Sequence, residues 1–411
     1  MALRPLAITV AVALGLGATP AARAQTPTPS PPSLASLVFA TPDGLFEQRL
    51  DQLRQPLLEA NLALVEDLAW SPEGNALAVV NSDGQVIWLN PSPESAQTVF
   101  TSQCPHRRDL NVAWQVQPLA LVIQERCAMP DGPSQWAVFL ANGTGQPQPL
   151  PLPPDAAALS VSPDGRQIAY VADQHIYALD ASINKASISN GAENNGAVSP
   201  TPQRLTETPG PYAAAGSALV WSPDGTKLAF HEGNYPFQRI QMIDLLTGEQ
   251  RLLTPEANFQ IYRSRLLWSP NGRYLAFYEP ANPPLSNQEV VVLLEVATGE
   301  RQVLTRPGFY NALSWSPDSQ TLAFSSGNHW EQQAMFTFAL ADQTFVTLTP
   351  QPFQTVSESW WSPQGDWIAF TAIPLGDDLG TQGLYIVRSD GSELTPLTQA
   401  NEYAFPVAWR P

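Results

Sequence analysis

A repeated phrase organises this chain of 411 residues. In its fullest form it reads Trp-Ser-Pro-Asp-Gly followed by a short apolar run, as at residues 221–230. The first position of the phrase recurs at spacings of 44, 47, 60, 47, 47, 46 and 48 residues. The copies start at Trp70, Trp114, Val161, Trp221, Trp268, Trp315, Trp361 and Trp409. A period of this length predicts a repeat architecture.

Each copy is long enough for four short antiparallel strands. The first ends at the tryptophan, and Pro-Asp-Gly turns the chain into a second strand such as Leu228–Phe230. A third strand, Ile240–Asp244, leads through a Thr-Gly turn to a short fourth strand. One such sheet has two apolar faces and cannot be stable alone. We therefore predict an all-β β-propeller whose recurrent tryptophans pack between blades.

The repeat resembles the TolB-type propeller repeat, a WD-like repeat that also occurs in the propellers of prolyl-oligopeptidase-type enzymes. The resemblance covers residues 38–411 and rests on five copies of Trp-Ser-Pro that precede an apolar strand. A TolB-like chain is expected to have a separate amino-terminal domain and six blades, whereas the repeats here begin earlier and are more numerous. The resemblance implies a propeller that binds partner proteins of the cell envelope.

The number of blades depends on the two ends of the chain. Seven copies begin between Trp70 and Trp361, and the eighth stops at Trp409, after its first strand. Leu37–Phe39 matches the second strand of the repeat, so amino-terminal strands can complete the last blade. We predict eight blades in a ring closed by pairing of the amino- and carboxyl-terminal strands, which leaves no free edge.

A helix near the amino terminus is the alternative. Apolar residues with helical spacing lie at Phe46, Leu50, Leu53 and Leu57. A helix there would leave seven blades and no partner for the strand at residues 407–409.

Residues 1–24 are predicted to be a signal peptide. Arg4 precedes an apolar run from Leu6 to Ala18, and Ala22-Arg23-Ala24 fits a cleavage site. A signal anchor is the alternative, but the run is short for a bilayer span. We expect a periplasmic or secreted protein. Residues 25–35 form a Pro-rich linker, residues 36–411 form the propeller, and residues 181–202 are a flexible insertion between a third and a fourth strand.

The formal net charge of −17 argues against several kinds of partner. A surface of this sign repels nucleic acid and anionic lipid, so neither nucleic-acid binding nor membrane insertion after signal cleavage is expected. Neither cofactor motifs nor metal-ligand spacing among the four histidines occurs, so we predict no cofactor and no metal site. The acidic turns lack the alternating carboxylates of a calcium loop. We expect a monomer.

Two cysteines, Cys104 and Cys127, flank the first hairpin of the second repeat. In an oxidising compartment this placement predicts a disulfide. Two free thiols are the alternative.

The connections from a fourth to a first strand and from a second to a third strand share one side of the ring, called the loop face below. The other two sets of turns form the turn face. Aromatic and arginine side chains on the loop face are typical of a recognition surface. The predicted binding residues are Tyr262, Arg263, Phe309, Tyr310, Trp330 and Tyr403. The alternative is that these rings cap the blade cores.

No Gly-x-Ser-x-Gly motif occurs, and no second domain is apparent to carry hydrolase chemistry. We therefore predict a non-catalytic module with no catalytic residues, which binds a protein or peptide partner of the cell envelope. The alternative is a propeller enzyme that acts on glycans or other extracytoplasmic polymers. That chemistry would need paired carboxylates, for which Glu232 and Glu279 are candidates.

Overall fold

A computed structural model gives the fold of the chain. It describes residues 35–50, 54–58, 64–90, 95–106, 108–130, 132, 134–143, 146–181, 201–212, 219–233, 239–254, 266–281, 288–327, 332–376, 380–399 and 402–411. Within these ranges, 32 strands form eight four-stranded antiparallel sheets without any α-helix. The protein is an eight-bladed β-propeller, which confirms the predicted fold class and blade number. The predicted signal peptide and residues 182–200 of the insertion lie outside the described ranges.

Three strands precede the first full repeat: β1 (Ser36–Thr41), β2 (Gly44–Arg49) and β3 (Gln55–Leu58). Blade I contains β4 (Val65–Trp70), β5 (Leu77–Asn81), β6 (Gln85–Leu89) and β7 (Gln97–Thr101). Blade II contains β8 (Arg108–Gln115), β9 (Ala120–Cys127), β10 (Gln135–Ala141) and β11 (Gln148–Leu150). Blade III contains β12 (Ala157–Val161), β13 (Gln167–Ala172), β14 (His175–Asp180) and β15 (Gln203–Arg204).

Blade IV contains β16 (Val220–Trp221), β17 (Lys227–Glu232), β18 (Arg239–Asp244) and β19 (Gln250–Leu252). Blade V contains β20 (Leu267–Trp268), β21 (Tyr274–Pro280), β22 (Glu289–Glu295) and β23 (Arg301–Val303). Blade VI contains β24 (Phe309–Trp315), β25 (Thr321–Gly327), β26 (Gln333–Ala339) and β27 (Thr344–Thr347). Blade VII contains β28 (Thr355–Trp361), β29 (Trp367–Ile373), β30 (Gly383–Arg388) and β31 (Thr395–Pro396). The last strand is β32 (Val407–Trp409).

Blade VIII combines the two ends of the chain. Its strand order is β3-β2-β1-β32, and β1 pairs antiparallel with β32, so that Val38 lies opposite Ala408. The backbone N–H of Arg410 also donates to the carbonyl of Ser36 at 2.9 Å. The predicted ring closure is therefore confirmed. The helical alternative is wrong because Phe46 lies in β2 and Leu57 in β3.

The hydrophobic core lies between blades rather than within one blade. Side chains of a strand alternate between its two faces, and β1 shows the consequence. Leu37 and Phe39 pack with core residues of blade VII, whereas Val38 and Ala40 pack with core residues of blade I. All four side chains are almost fully buried. Each blade thus supplies half of two adjacent cores.

The recurrent tryptophans join neighbouring blades, as predicted. In five copies the indole Nε1–H donates to a backbone carbonyl of the preceding blade. The bonds run from Trp114 to Ala69 (2.9 Å), Trp221 to Ser160 (3.2 Å), Trp268 to Val220 (3.1 Å), Trp315 to Leu267 (3.2 Å) and Trp409 to Trp360 (3.0 Å). Each acceptor immediately precedes the equivalent position of its own copy. The indoles of Trp70 and Trp361 are the exceptions, because their buried Nε1 atoms have no hydrogen-bond partner in the described structure.

The serine of the repeat holds the first turn. The Ser222 hydroxyl donates to Asp224 at 2.6 Å and accepts the backbone N–H of Lys227 at 2.8 Å. Burial alone would raise the pKa of Asp224, but hydrogen bonds from Ser222 and Thr226 and the Lys227 charge hold the pKa below its ordinary value. The acidic residue therefore stabilises the turn by accepting hydrogen bonds within it.

Two copies that keep the serine have neither Asp nor Asn at that position, and a residue further along the chain accepts the serine hydroxyl instead. Where Glu73 stands at the position, Asn75 accepts the Ser71 hydroxyl at 2.8 Å. In the copy that begins at Trp361, Asp366 accepts the Ser362 hydroxyl at 2.9 Å. The turn thus requires a side-chain oxygen that accepts the serine hydroxyl, but this oxygen can come from more than one position.

A disulfide joins blades I and II. Cys104 follows β7, Cys127 ends β9, and their Cα atoms lie 5.7 Å apart with the sulfurs bonded. The bridge therefore ties the connection that leaves blade I to the first hairpin of blade II.

Removing one indole hydrogen bond should destabilise the ring measurably. Trp268→Phe should lower the free energy of unfolding by about 1 kcal/mol more than Trp361→Phe, since only Trp268 loses a hydrogen bond. Both variants lose the same ring volume, and Trp361→Phe also removes a buried N–H that has no partner, so the difference reports a bonded against an unbonded N–H group. Denaturant titration at 25 °C measures this difference, and equal losses would show that the hydrogen bond adds nothing to packing.

Removing the disulfide should also destabilise the fold. Cys104 and Cys127 are separated by 23 positions, and a closed loop of that length constrains the unfolded chain by about 3 kcal/mol. We expect Cys104→Ser/Cys127→Ser to unfold at lower temperature than wild type under non-reducing conditions. Adding a reductant should lower the melting temperature of wild type but not that of the variant. A melting temperature unaffected in both cases would contradict this.

Candidate functional site

The structure describes three of the six predicted binding residues. Tyr262, Arg263 and Trp330 lie outside the described ranges. Tyr403 is 37% exposed in the connection between blades VII and VIII, on the loop face. Phe309 and Tyr310 were expected in a loop, but both begin β24 and are buried. The two buried rings therefore belong to the core, which corrects the prediction for this pair.

A local motif explains why Tyr310 is buried. Its hydroxyl donates to the carbonyl of Arg306, four residues earlier, and its ring packs beside Phe324. Tyr212 repeats the arrangement with the carbonyl of Thr208 at 2.8 Å. Both tyrosines end a Pro-Gly-x-Tyr sequence in the connection to the next blade.

The glycine of this motif leaves room for the ring. A Cβ atom at Gly308 would lie 3.2 Å from the ring of Tyr310, and one at Gly210 would lie 2.8 Å from Cζ of Tyr212. The recurrence of Pro-Gly-x-Tyr at the same place in two copies was the sequence signal that these rings are structural.

Three acidic residues of the loop face are paired with arginines. The pairs are Arg239 with Glu232 at 2.6 Å, Arg54 with Glu402 at 2.7 Å, and Arg301 with Glu279. The carboxylate side chains are only 14%, 11% and 2% exposed, respectively. Glu232 and Glu279, the candidates for a catalytic pair, therefore sit in different blades, each with its own arginine.

Four residues near the ring closure form what we call the Tyr403 patch: Phe46, Arg54, Glu402 and Tyr403. The guanidinium of Arg54 lies 4.6 Å from the centre of the Phe46 ring and pairs with Glu402. Glu402 also accepts the backbone N–H of Gln399 at 2.9 Å. Partial burial raises the pKa of the neighbouring Tyr403 hydroxyl. The patch thus presents an exposed tyrosine beside a fixed arginine–glutamate pair.

The first strands of most neighbouring blades contact one another, as β24 contacts β28 and β4 contacts β8. Four of them, β4, β12, β24 and β28, contain a register shift against their second strand. In β4 the shift lies next to Asp67, which accepts the backbone N–H of Leu68 at 2.8 Å. Burial raises the pKa of Asp67 to about 6, although hydrogen bonds from Leu68 and Val112 act in the opposite direction.

Metal-binding geometry is absent from the described part of the chain, where no three His, Cys, Asp or Glu side chains gather as ligands. Two of the four histidines, His175 and His231, are buried in strands. Burial lowers the pKa of His231 to about 4, so this ring is neutral at pH 7. The described ranges also lack a helix that is long and apolar enough to cross a bilayer.

No family model matches the chain, and no curated protein sequence matches it. Solved structures with a similar fold include the dihydro-heme d1 dehydrogenase NirN in complex with DHE, with a TM-score of 0.58 and 14% identity over 94% of this chain and 77% of that protein. Dipeptidyl peptidase 4 from Porphyromonas gingivalis has a TM-score of 0.57 and 12% identity over 80% of this chain and 52% of the peptidase.

TolB from Acinetobacter baumannii is also among the similar structures, with a TM-score of 0.40 and 15% identity over 84% of this chain and 81% of TolB. At these identities the similarity concerns the propeller fold alone. Because the similar propellers include a dehydrogenase and a peptidase, the fold does not assign an activity.

Asp67 should make stability depend on pH. The pKa of Asp67 in the folded protein is about 6, above the ordinary value of 3.8. Its contribution to the free energy of unfolding is therefore full below about pH 3.8 and is lost as the pH rises through 6. Asp67→Asn should therefore raise the free energy of unfolding at pH 8, by up to about 3 kcal/mol, and change it little at pH 3.5.

Denaturant titrations at the two pH values test this. Asp83→Asn, at an exposed turn, is the matched control and should show no such difference. A stabilisation by Asp67→Asn that is equal at both pH values would contradict the electrostatic origin.

Proposed function

We propose that this protein is an exported, non-catalytic propeller that uses its loop face to bind a protein or peptide partner of the cell envelope. The observation that carries the proposal is the Tyr403 patch. Tyrosine and arginine are the residue types that most often dominate binding energy at protein interfaces. Here Tyr403 stands on the loop face, and the guanidinium of Arg54, which precedes β3, reaches the adjacent Glu402, so that its charge is already matched.

Preorganisation supports a binding role for the patch. Arg54 is held by the Glu402 carboxylate and by the Phe46 ring, and Glu402 is held by the backbone of Gln399. Side chains that are fixed before binding lose less conformational entropy when a partner arrives. An exposed tyrosine on such a support is a suitable anchor for a peptide or protein surface.

The arrangement of acidic residues favours binding over glycan cleavage. Glycoside hydrolysis needs two carboxyl groups that face one substrate bond, one of them free to give a proton. Glu232 and Glu279 are each occupied by an arginine in separate blades. Glu232 and Glu279 are therefore not available as the free pair that the glycan-processing alternative needs.

Two features support export. Residues 1–24 have the charged start, apolar run and small-residue cleavage pattern of a signal peptide. The disulfide between Cys104 and Cys127 suits an oxidising compartment such as the periplasm or the cell exterior.

A binding experiment tests the role of the loop face. We expect immobilised wild-type protein to retain one or more proteins from an envelope extract of the source cells. Tyr403→Ala/Trp330→Ala should retain at least tenfold less, because loss of about 1.4 kcal/mol or more weakens binding tenfold. Leu246→Ala is the matched control, since Leu246 is 80% exposed on the turn face. All variants are first compared by thermal melting to verify folding.

Equal retention by all three proteins, or a loss confined to Leu246→Ala, would contradict the loop-face assignment. Cleavage of a polysaccharide panel by wild type that disappears in Glu279→Gln would contradict the non-catalytic role.

A further inference from the structure

A cleft between blades I and II lies outside the loop-face patch. Its volume is about 420 Å³, within the range of small-ligand pockets. One wall is β7 from Thr98 to Thr101, the outermost strand of blade I, and the other wall includes Glu125 of β9 and Phe139 of β10. The cleft therefore opens between the outermost strand of blade I and the second and third strands of blade II, two blades that the disulfide also connects.

Glu125 gives this cleft a buried negative charge. The residue is only 7% exposed, and its Oε1 accepts the hydroxyl of Ser102. No basic side chain of the described residues pairs with it. The arginines nearest in strands β8 and β9 have other partners, because Arg108 donates to the Ser82 carbonyl and Arg126 pairs with Asp109.

The absence of a cation distinguishes Glu125 from Glu232, Glu279 and Glu402, each of which has an arginine. A buried carboxylate is costly unless a positive charge or several hydrogen bonds compensate it. Glu125 has one hydrogen bond from the protein, so a positively charged ligand in the cleft would complete its environment.

The remaining lining suits an apolar stem behind that charge. The rings of Phe100 and Phe139 lie 4.8 Å apart between centroids, and both line the cleft. Aromatic faces attract ammonium groups and pack well against methylene chains. Gln103 and Gln146 add side-chain amides that can accept N–H bonds.

We propose that this cleft binds an alkylammonium group, with its nitrogen at Glu125 and its carbon chain against the contacting rings of Phe100 and Phe139. The source is either a free alkyl amine or a lysine side chain of a peptide. The acidic chain, with a net charge of −17, attracts such cations over a longer range. The site is separate from the Tyr403 patch and does not depend on the proposed loop-face function.

Calorimetric titration with two probes tests the site. Cadaverine represents a free amine, and N-acetyl-lysine methylamide represents a lysine side chain. Wild type should bind at least one of them, and Glu125→Gln should bind it at least tenfold more weakly, because a charge-assisted hydrogen bond is lost. Glutamine keeps an acceptor for Ser102, so the fold should persist, which thermal melting verifies.

The matched control is Glu300→Gln, which removes the same charge from an exposed turn and should bind like wild type. Phe139→Leu should weaken binding severalfold through loss of the aromatic face. Binding of cadaverine alone identifies free amines as the source, and binding of the blocked lysine identifies peptides. No binding of either probe by wild type at about 10 mM, or equal binding by Glu125→Gln and wild type, would overturn the proposal.

Discussion

The apolar faces of a single blade can be covered only by another blade, and the rest of the structure depends on this. The tryptophan of the repeat makes two interactions with the preceding blade. Its ring packs between the two blades, and its indole N–H donates to a backbone carbonyl, as from Trp268 to Val220. In a row of such blades, the first and the last blade would each leave one apolar face uncovered. Pairing of β1 with β32 forms blade VIII, which closes the ring and covers both faces.

Much of this fold could be predicted because it is periodic. The match of Leu37–Phe39 to the second strand of the repeat gave the composite blade, and the structure confirms it. The loop face was harder to predict, because aromatic residues there serve two purposes. Tyr310 is buried over Gly308 and bonded to its own loop, whereas Tyr403 is exposed. Hydrophobicity does not separate these cases, but a repeated Pro-Gly-x-Tyr pattern does.

The acidic side chains divide by environment in a way that the sequence does not reveal. Turn residues such as Asp224 accept hydrogen bonds from their own turn. Glu279 is buried but matched by an arginine from the same blade. Asp67 is half-buried and Glu125 is buried, and both have hydrogen bonds but no arginine partner; Asp67 lies at the inner strands and Glu125 in a cleft between two blades. A list of acidic positions cannot distinguish these groups, since pairing depends on partners that lie across strands and blades.

Closure of the ring by the chain termini can be measured directly with one engineered cysteine pair, Val38→Cys/Ala408→Cys. These positions face each other in β1 and β32. Mild oxidation of the folded protein should join them within one chain, and peptide mapping by mass spectrometry should recover a cross-linked peptide that contains both positions. The pair Val38→Cys/Thr247→Cys, which reaches a turn of blade IV, should stay unlinked. If both cysteines at 38 and 408 remain free, or only dimers form, the termini do not pair and the closed ring is wrong.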